Sequence, residues 1–194
     1  SGAGLQAVLA TGPQAGVLSF AADGSFAYDT PATAGTYSFT YLATDEGWLY
    51  LAGLKDLFDG ELVGYALGER MTQDLVMKAL FRAVAKRRPG KGLLHHSDRG
   101  GQYCAHEYQK LLRRFGMQVS MGRKGDCWDN APMESCWGSL KTELIHHCRF
   151  ATREEARRQV TEYIEVFYNR MRKQARLGFL APGGCQEFCV SRAG

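Results

Sequence analysis

No run of eighteen apolar residues occurs in this chain of 194 residues, and its first residues, SGAGLQAVLATG, have neither an initiator Met nor a basic stretch leading into an apolar one. A membrane-spanning helix and a secretory leader are therefore not expected, and the missing Met suggests an excerpt from a longer chain. Residues 1–45 lack Lys and Arg altogether; with Asp23, Asp29 and Asp45 they carry −3 and offer little to a polyanion. The six cysteines (Cys104, Cys127, Cys136, Cys148, Cys185, Cys189) form neither paired CxxC knuckles nor the framework of a small disulfide scaffold, so they read as free thiols of a cytoplasmic domain. Internal repeats and low-complexity stretches are also missing. With 45% hydrophobic and 23% charged residues, the composition is that of an ordinary globular chain.

What is present is divided unevenly. All 24 Lys and Arg fall after residue 45, against 17 acids there, giving +7 and the expectation of a polyanionic partner for this part alone. Residues 5–10, 16–21, 24–29 and 35–43 are short β-branched and aromatic runs between Gly, Pro and Asp turns, and Ala22-Asp23-Gly24 marks a hairpin. From Gly47 the pattern changes. Two long strands, WLYLAGLKDLF and ELVGYALG, meet at Asp59-Gly60; a helix follows from Thr72 to about Arg88, with apolar residues at helical spacing and Pro89-Gly90 as its stop. Then come a strand in GLLHHS, a helix over about 104–115, a strand MQVSM, a loop GRKGDCWDN, and helices near 131–147 and 152–170. This order predicts an α/β domain with a mixed sheet and flanking helices, preceded by a short all-β segment.

Two acids stand where such a sheet places chemistry. Asp98 directly follows the apolar strand LLHHS, at its carboxyl end. Glu134 lies one turn into a helix opened by Asp129-Asn130 and Pro132, and 35 residues separate the two acids. Two carboxylates brought together from a strand end and a helix start supply hard oxygen ligands for Mg²⁺ or Mn²⁺. The residues alone equally allow a cap at Asp98 and a solvated helix face at Glu134.

The runs HHSDRGGQY, SMGRKGDCWDNAPMESCWGSLKTEL, RFATREEARRQVTEYIEVFYNR and DEGWLYLAGLKDLFDGELVGYAL closely resemble the catalytic, integrase-core subunit of insertion-sequence transposases related to retroviral integrases, over about residues 40–188. GVLSFAADGSFAYDTPATAGTYSFTYLATD resembles the C-terminal half of a bacterial cadherin-like or immunoglobulin-like tandem repeat, over about residues 1–45. The chain thus reads as a fusion: residues 1–45 as the repeat fragment, and residues 46–194 as the integrase core, with its first strand borrowed from 36–43.

The transposase resemblance implies a ribonuclease H-like fold, Mg²⁺ (or Mn²⁺) ions held by an Asp, Asp, Glu set, and in-line attack on DNA phosphodiesters in cleavage and strand transfer. Asp98 matches the second acid and Glu134 the third. The first acid's place, in a pattern Asp-Ile-Thr-Tyr-Ile, is held by Ser38 in Ser38-Phe39-Thr40-Tyr41-Leu42, so metal binding and activity are expected to be impaired. Asp45 and Asp56 do not look like substitutes. The resemblance further implies double-stranded DNA as partner, a homo-oligomer on it and no small-molecule substrate; Lys141, two turns after Glu134 on the same helical face, and Arg123 and Lys124 in the Gly-flanked loop before that helix are candidate DNA-contacting residues. Gln174-Ala175 replaces the His-Ser pair of the family's C-terminal basic motif. The competing readings are a non-catalytic DNA-binding remnant and a fragment of an exported adhesin-like protein.

Overall fold

The computed structural model describes residues 17–20, 26–29, 35–98, 100–121 and 131–184. The strand expected over 5–10 and the loop bearing Arg123, Lys124 and Trp128 lie outside the described residues. β1 (Val17–Phe20) and β2 (Phe26–Asp29) pair antiparallel and form a two-stranded sheet of their own.

A second sheet has five strands. β3 (Gly35–Thr44), β4 (Gly47–Asp56) and β5 (Leu62–Gly68) form an antiparallel meander, and β6 (Leu94–Ser97) and β7 (Gln118–Met121) join it in parallel, in the order β5-β4-β3-β6-β7. The β3–β4 turn is closed by Gly47 at φ 113°, a conformation open to glycine, and by the Thr44 hydroxyl, which donates to the Gly47 carbonyl at 2.8 Å. The parallel half needs helical crossovers. α1 (Gln73–Arg87) starts at Thr72, whose hydroxyl accepts from the Leu75 N–H, and ends at Arg88 in the left-handed region just before Pro89.

Helices cover both faces. Ala52, Leu54, Val63 and Ala66 bury against Leu75, Val76, Ala79 and Leu80 of α1 and against Tyr108 and Leu112 of α3 (His106–Arg114). On the other face Leu42, Leu49, Leu51 and Leu62 meet α4 (Ala131–Glu143) and α5 (Arg153–Glu162) through Met133, Cys136, Trp137, Leu140, Ala156 and Val160. Strand β4 serves both cores, which is why its run LYLAGLKD is apolar at nearly every position rather than alternating.

Three helices differ from their expected bounds. The helix expected over 104–115 is split into α2 (Gly101–Cys104) and α3 because Ala105 is extended, and the Gln109 amide caps the Tyr103 carbonyl at the break, 2.7 Å away. α4 stops at Glu143 and is followed by a 3₁₀ turn, Ile145–His147. Beyond α5 the chain widens into a π-helical stretch, Tyr163–Tyr168, which keeps Tyr163, Ile164 and Tyr168 in the second core.

Candidate active site

Strand register fixes the first two positions. Tyr37 of β3 lies opposite Ser97 of parallel β6, so the next residues, Ser38 and Asp98, run side by side as β6 ends. Across the antiparallel ladder, Ser38 faces Gly53 of β4. Ser38, Thr40 and Leu42 are buried and share the face that Leu42 gives to the α4 core. The alternation that turns His95 toward α3 turns His96, and Asp98 after it, to the α4 side.

The half-exposed Asp98 is held from its own loop. Its Oδ1 accepts from the Gly100 N–H at 2.8 Å. A Cβ on Gly100 would stand 2.8 Å from that same Oδ1, so the approach needs glycine.

Glu134 is exposed in the first turn of α4. The helix is seated by Met133, Cys136, Trp137 and Leu140, and the Trp137 ring lies directly on Gly53, where a Cβ would meet it at 2.7 Å. The turn carrying Glu134 is also tied down from below, because the Lys55 ammonium donates to the Pro132 carbonyl at 3.1 Å. Position 53 therefore links Ser38, its ladder partner, to the helix that presents Glu134.

Oxygen donors of this kind suit a hard divalent cation, and Mg²⁺ is commonly held by one or two carboxylates with substrate phosphate and water completing its shell. Asp98 and Glu134 are donors of this chemical type. Among the described residues no group of three His, Cys, Asp or Glu side chains is gathered for a metal, and Ser38, next to Asp98 by register, adds a hydroxyl and no carboxylate. Neither nearby acid takes its place. Asp45 sits in the β3–β4 turn, paired with Arg149 at 3.3 Å. Asp56 alternates with Lys55 onto the α1 face, accepts from the Phe58 N–H at 2.9 Å, and has its carboxyl pushed up by burial and by Asp59.

The other singled-out residues divide. Lys141 lies two turns after Glu134, with its ammonium 5.7 Å over the exposed Tyr41 ring; Tyr41 in turn meets Trp48 edge-on at 5.2 Å. His95 is buried at 3.0 Å from the Tyr108 hydroxyl, and burial holds its imidazole down at about 4; His96 Nδ1 is 3.0 Å from Ser120 Oγ. Lys86 pairs with Glu61 at 2.7 Å and Arg87 with Asp59 and Glu61, so this basic pair is occupied by acids of the β4–β5 connection. Cys136 and Cys148 are free thiols.

Lys55 was not singled out by sequence reasoning. It is 5% exposed, and burial, with Arg176 and Arg172 adding to it, pushes its ammonium down despite the opposing influence of Cys136. The signal was available: a lone Lys in an apolar strand, in step with Leu51 and Gly53 on the α4 face.

A meander of three strands joined to two parallel ones, helices on both faces, and acids at the fourth strand's end and on the helix crossing the first strand together define the ribonuclease H-like class of catalytic core. Solved structures agree on the fold. The HTLV-2 integrase catalytic core domain in complex with magnesium (trimeric form) aligns with a TM-score of 0.60 at 14% identity, covering 80% of this chain and 96% of that one. The Mos1 transposase catalytic domain with Raltegravir and Mg aligns at 0.55 and 16% identity, covering 69% and 71%. Two family models, each described as integrase core domain, match residues 36–127 and 134–186, and the chain belongs to this integrase-core family of transposases and integrases. It is 53% identical over 163 residues to the insertion element IS600 uncharacterized 31 kDa protein of Shigella sonnei, covering 84% of this chain. It is 46% identical over 143 residues to transposase InsF for insertion sequence IS3A of Escherichia coli strain K12, covering 74% of this chain. The chain spans 60% and 50% of the length of those two relatives.

Proposed function

We propose that residues 36–184 form a transposase catalytic core acting on DNA phosphodiesters, with Asp98 and Glu134 as its acids and with Ser38 in the place of the first, so that cleavage and strand transfer are impaired. The observation that carries this reading is the register that sets Ser38 beside Asp98 and opposite Gly53, under the helix bearing Glu134. A divalent ion bound by Asp98 and Glu134 would supply Lewis-acid stabilisation of phosphodiester charge; two structural neighbours were solved with magnesium. The chain's own part is to hold one Asp98 oxygen on the Gly100 amide, to fix Glu134 on a helix pinned by Trp137 and Lys55, and to keep the hydroxyls of Ser38 and Thr40 beneath. Duplex DNA is the substrate class, the +7 segment its electrostatic attractor, the cytoplasm its compartment, and a homo-oligomer on DNA its working form. An intasome is among the fold neighbours. Residues 1–35 fall outside the matched span, and β1–β2 form a separate sheet, which supports reading this part as a joined foreign segment.

A neutral Ser38 also favours a second reading, a DNA-binding remnant without catalysis. Manganese binding by calorimetry and nicking of a supercoiled plasmid separate the two. Ser38→Asp is expected to tighten Mn²⁺ binding at least tenfold and to yield nicking that Ser38→Asp/Glu134→Gln loses. If the unmodified chain nicks as well as Ser38→Asp, or the double variant stays active, position 38 is not the vacant ligand place.

A further inference from the structure

A cleft of about 570 Å³ lies on the opposite flank of α4 from Glu134, between that helix, β4 and the turn 172–176. Its α4 wall is Pro132, Ser135 and Ser139, one stripe of the helix, roughly 130° around the axis from Glu134 and Lys141. Four cations line it, Lys55, Arg172, Lys173 and Arg176, and no carboxylate does. Arg172 is matched by Glu143, to which its Nε donates at 2.8 and 2.9 Å. Arg176 is fixed by neutral groups only, donating to Gln174 Oε1 and to the Leu57 carbonyl, each at 3.2 Å. Lys173 is exposed and enters no ion pair among the described residues, and the Lys55 ammonium has two hydrogens beyond the one given to Pro132. Gln174, a residue 8% exposed, lines the cleft, and its buried amide nitrogen has no acceptor among the described residues. Spare cationic donors and an orphaned amide N–H lack the same thing, an anion rich in acceptor oxygens.

We infer that this cleft, built by Lys55, Lys173, Arg176 and Gln174, holds a backbone phosphate of duplex DNA on the far side of α4 from the acids. The inference rests on the DNA reading above. Its geometry suits a duplex: α4 is about 10–12 Å across, close to the roughly 12 Å of a major groove, so a helix end inserted between two backbones meets one on each flank. Gln174-Ala175, in place of the family's His-Ser pair, put a side-chain amide in the lining of this cleft.

The test measures binding of the full chain to a fluorescent duplex of about 30 base pairs across 50–200 mM salt. Lys173→Gln is expected to weaken binding three- to tenfold at the lowest salt and to reduce the slope of log K against log salt by about one; Lys173→Glu goes further, and Lys173→Arg restores both. Lys110→Gln, an exposed cation on α3, is expected to leave the slope unchanged. Lys55→Met, checked for folding by its melting curve, is expected to act in the same sense as Lys173→Gln. Wild-type affinity and slope in both Lys173→Gln and Lys173→Glu overturn the cleft while leaving the DNA reading standing. A wild-type chain that binds no duplex at any salt overturns both.

Discussion

The two faces of the central sheet are joined to their helices by different means. On the α1 face the contact is backbone to backbone: a Cβ on Gly64 would stand 2.4 Å from the Ala79 carbonyl oxygen and 2.5 Å from the Ala83 nitrogen. On the α4 face a side chain intervenes, the Trp137 ring resting on Gly53. Polar groups divide similarly. The acids Asp59 and Glu61 under α1 are matched by Lys86 and Arg87, whereas the α4 side keeps Thr40 Oγ1, Trp137 Nε1 and Gln174 Nε2 buried without hydrogen-bond partners. One face is closed backbone to backbone and clamped by ion pairs, although Arg87 Nε is left over there too; the other is held at ring thickness.

The comparison is broken most directly at Gly64. Gly64→Ala forces α1 off the sheet by its backbone, and a loss of about 3 kcal/mol or more is expected in denaturant unfolding, more than an added methyl normally costs a core. A variant as stable as the parent would show that α1 is free to slide.

Acid sharpens it next. His95 belongs to the α3 side, and its imidazole, held at about 4 against 6.5 when free, stays neutral in the fold. The unfolded chain therefore takes up the proton first, and stability is expected to fall as pH drops from 6.5 toward 4, by at most about 3 kcal/mol, with no further contribution above 6.5. Asp56, raised by burial, works in the opposite sense over its own range, so the comparison is with His95→Gln, whose acid limb should be flatter in urea titrations at stepped pH. Equal acid limbs would remove His95 as the cause.

The smallest effect belongs to Gly53. Gly53→Ala meets a ring edge that can shift, and about 1–2 kcal/mol is expected, together with a change in Mn²⁺ affinity measured on the Ser38→Asp background. Unchanged metal affinity would separate the seat of α4 from the position of Glu134.

Most of the sheet was legible because its signals are local. Thr72 and Pro89 bracket α1, Asp59-Gly60 joins β4 to β5, and the apolar run before Asp98 could only be a buried strand. Asp98 and Glu134 were legible from where their elements begin and end, helped by the family resemblance. What stayed hidden depends on contacts between distant segments. The break at Ala105 and the wide turn from Tyr163 follow from which aromatic residues find space in the core, which helical periodicity does not express. The engagement of Lys86 and Arg87 by acids some 26 to 28 residues earlier, which makes the basic end of α1 a structural clamp, is one such contact. Lys55 and the 172–176 turn lie more than a hundred residues apart, so neither looked like part of a binding surface until the fold set them in one cleft.

Gly53 bears no charge and touches no substrate in any reading given above, yet it determines how high the Glu134 helix rides over position 38. A spacer of this kind makes the distance between acids a separately heritable property. Lineages, or protein engineers, can retune the gap by one carbon beneath an indole while leaving every acid in place, and the tilt of a 13-residue lever amplifies that carbon at the helix start. Restoring a lost carboxylate at position 38 is therefore half of a repair whose other half is made from the opposite strand.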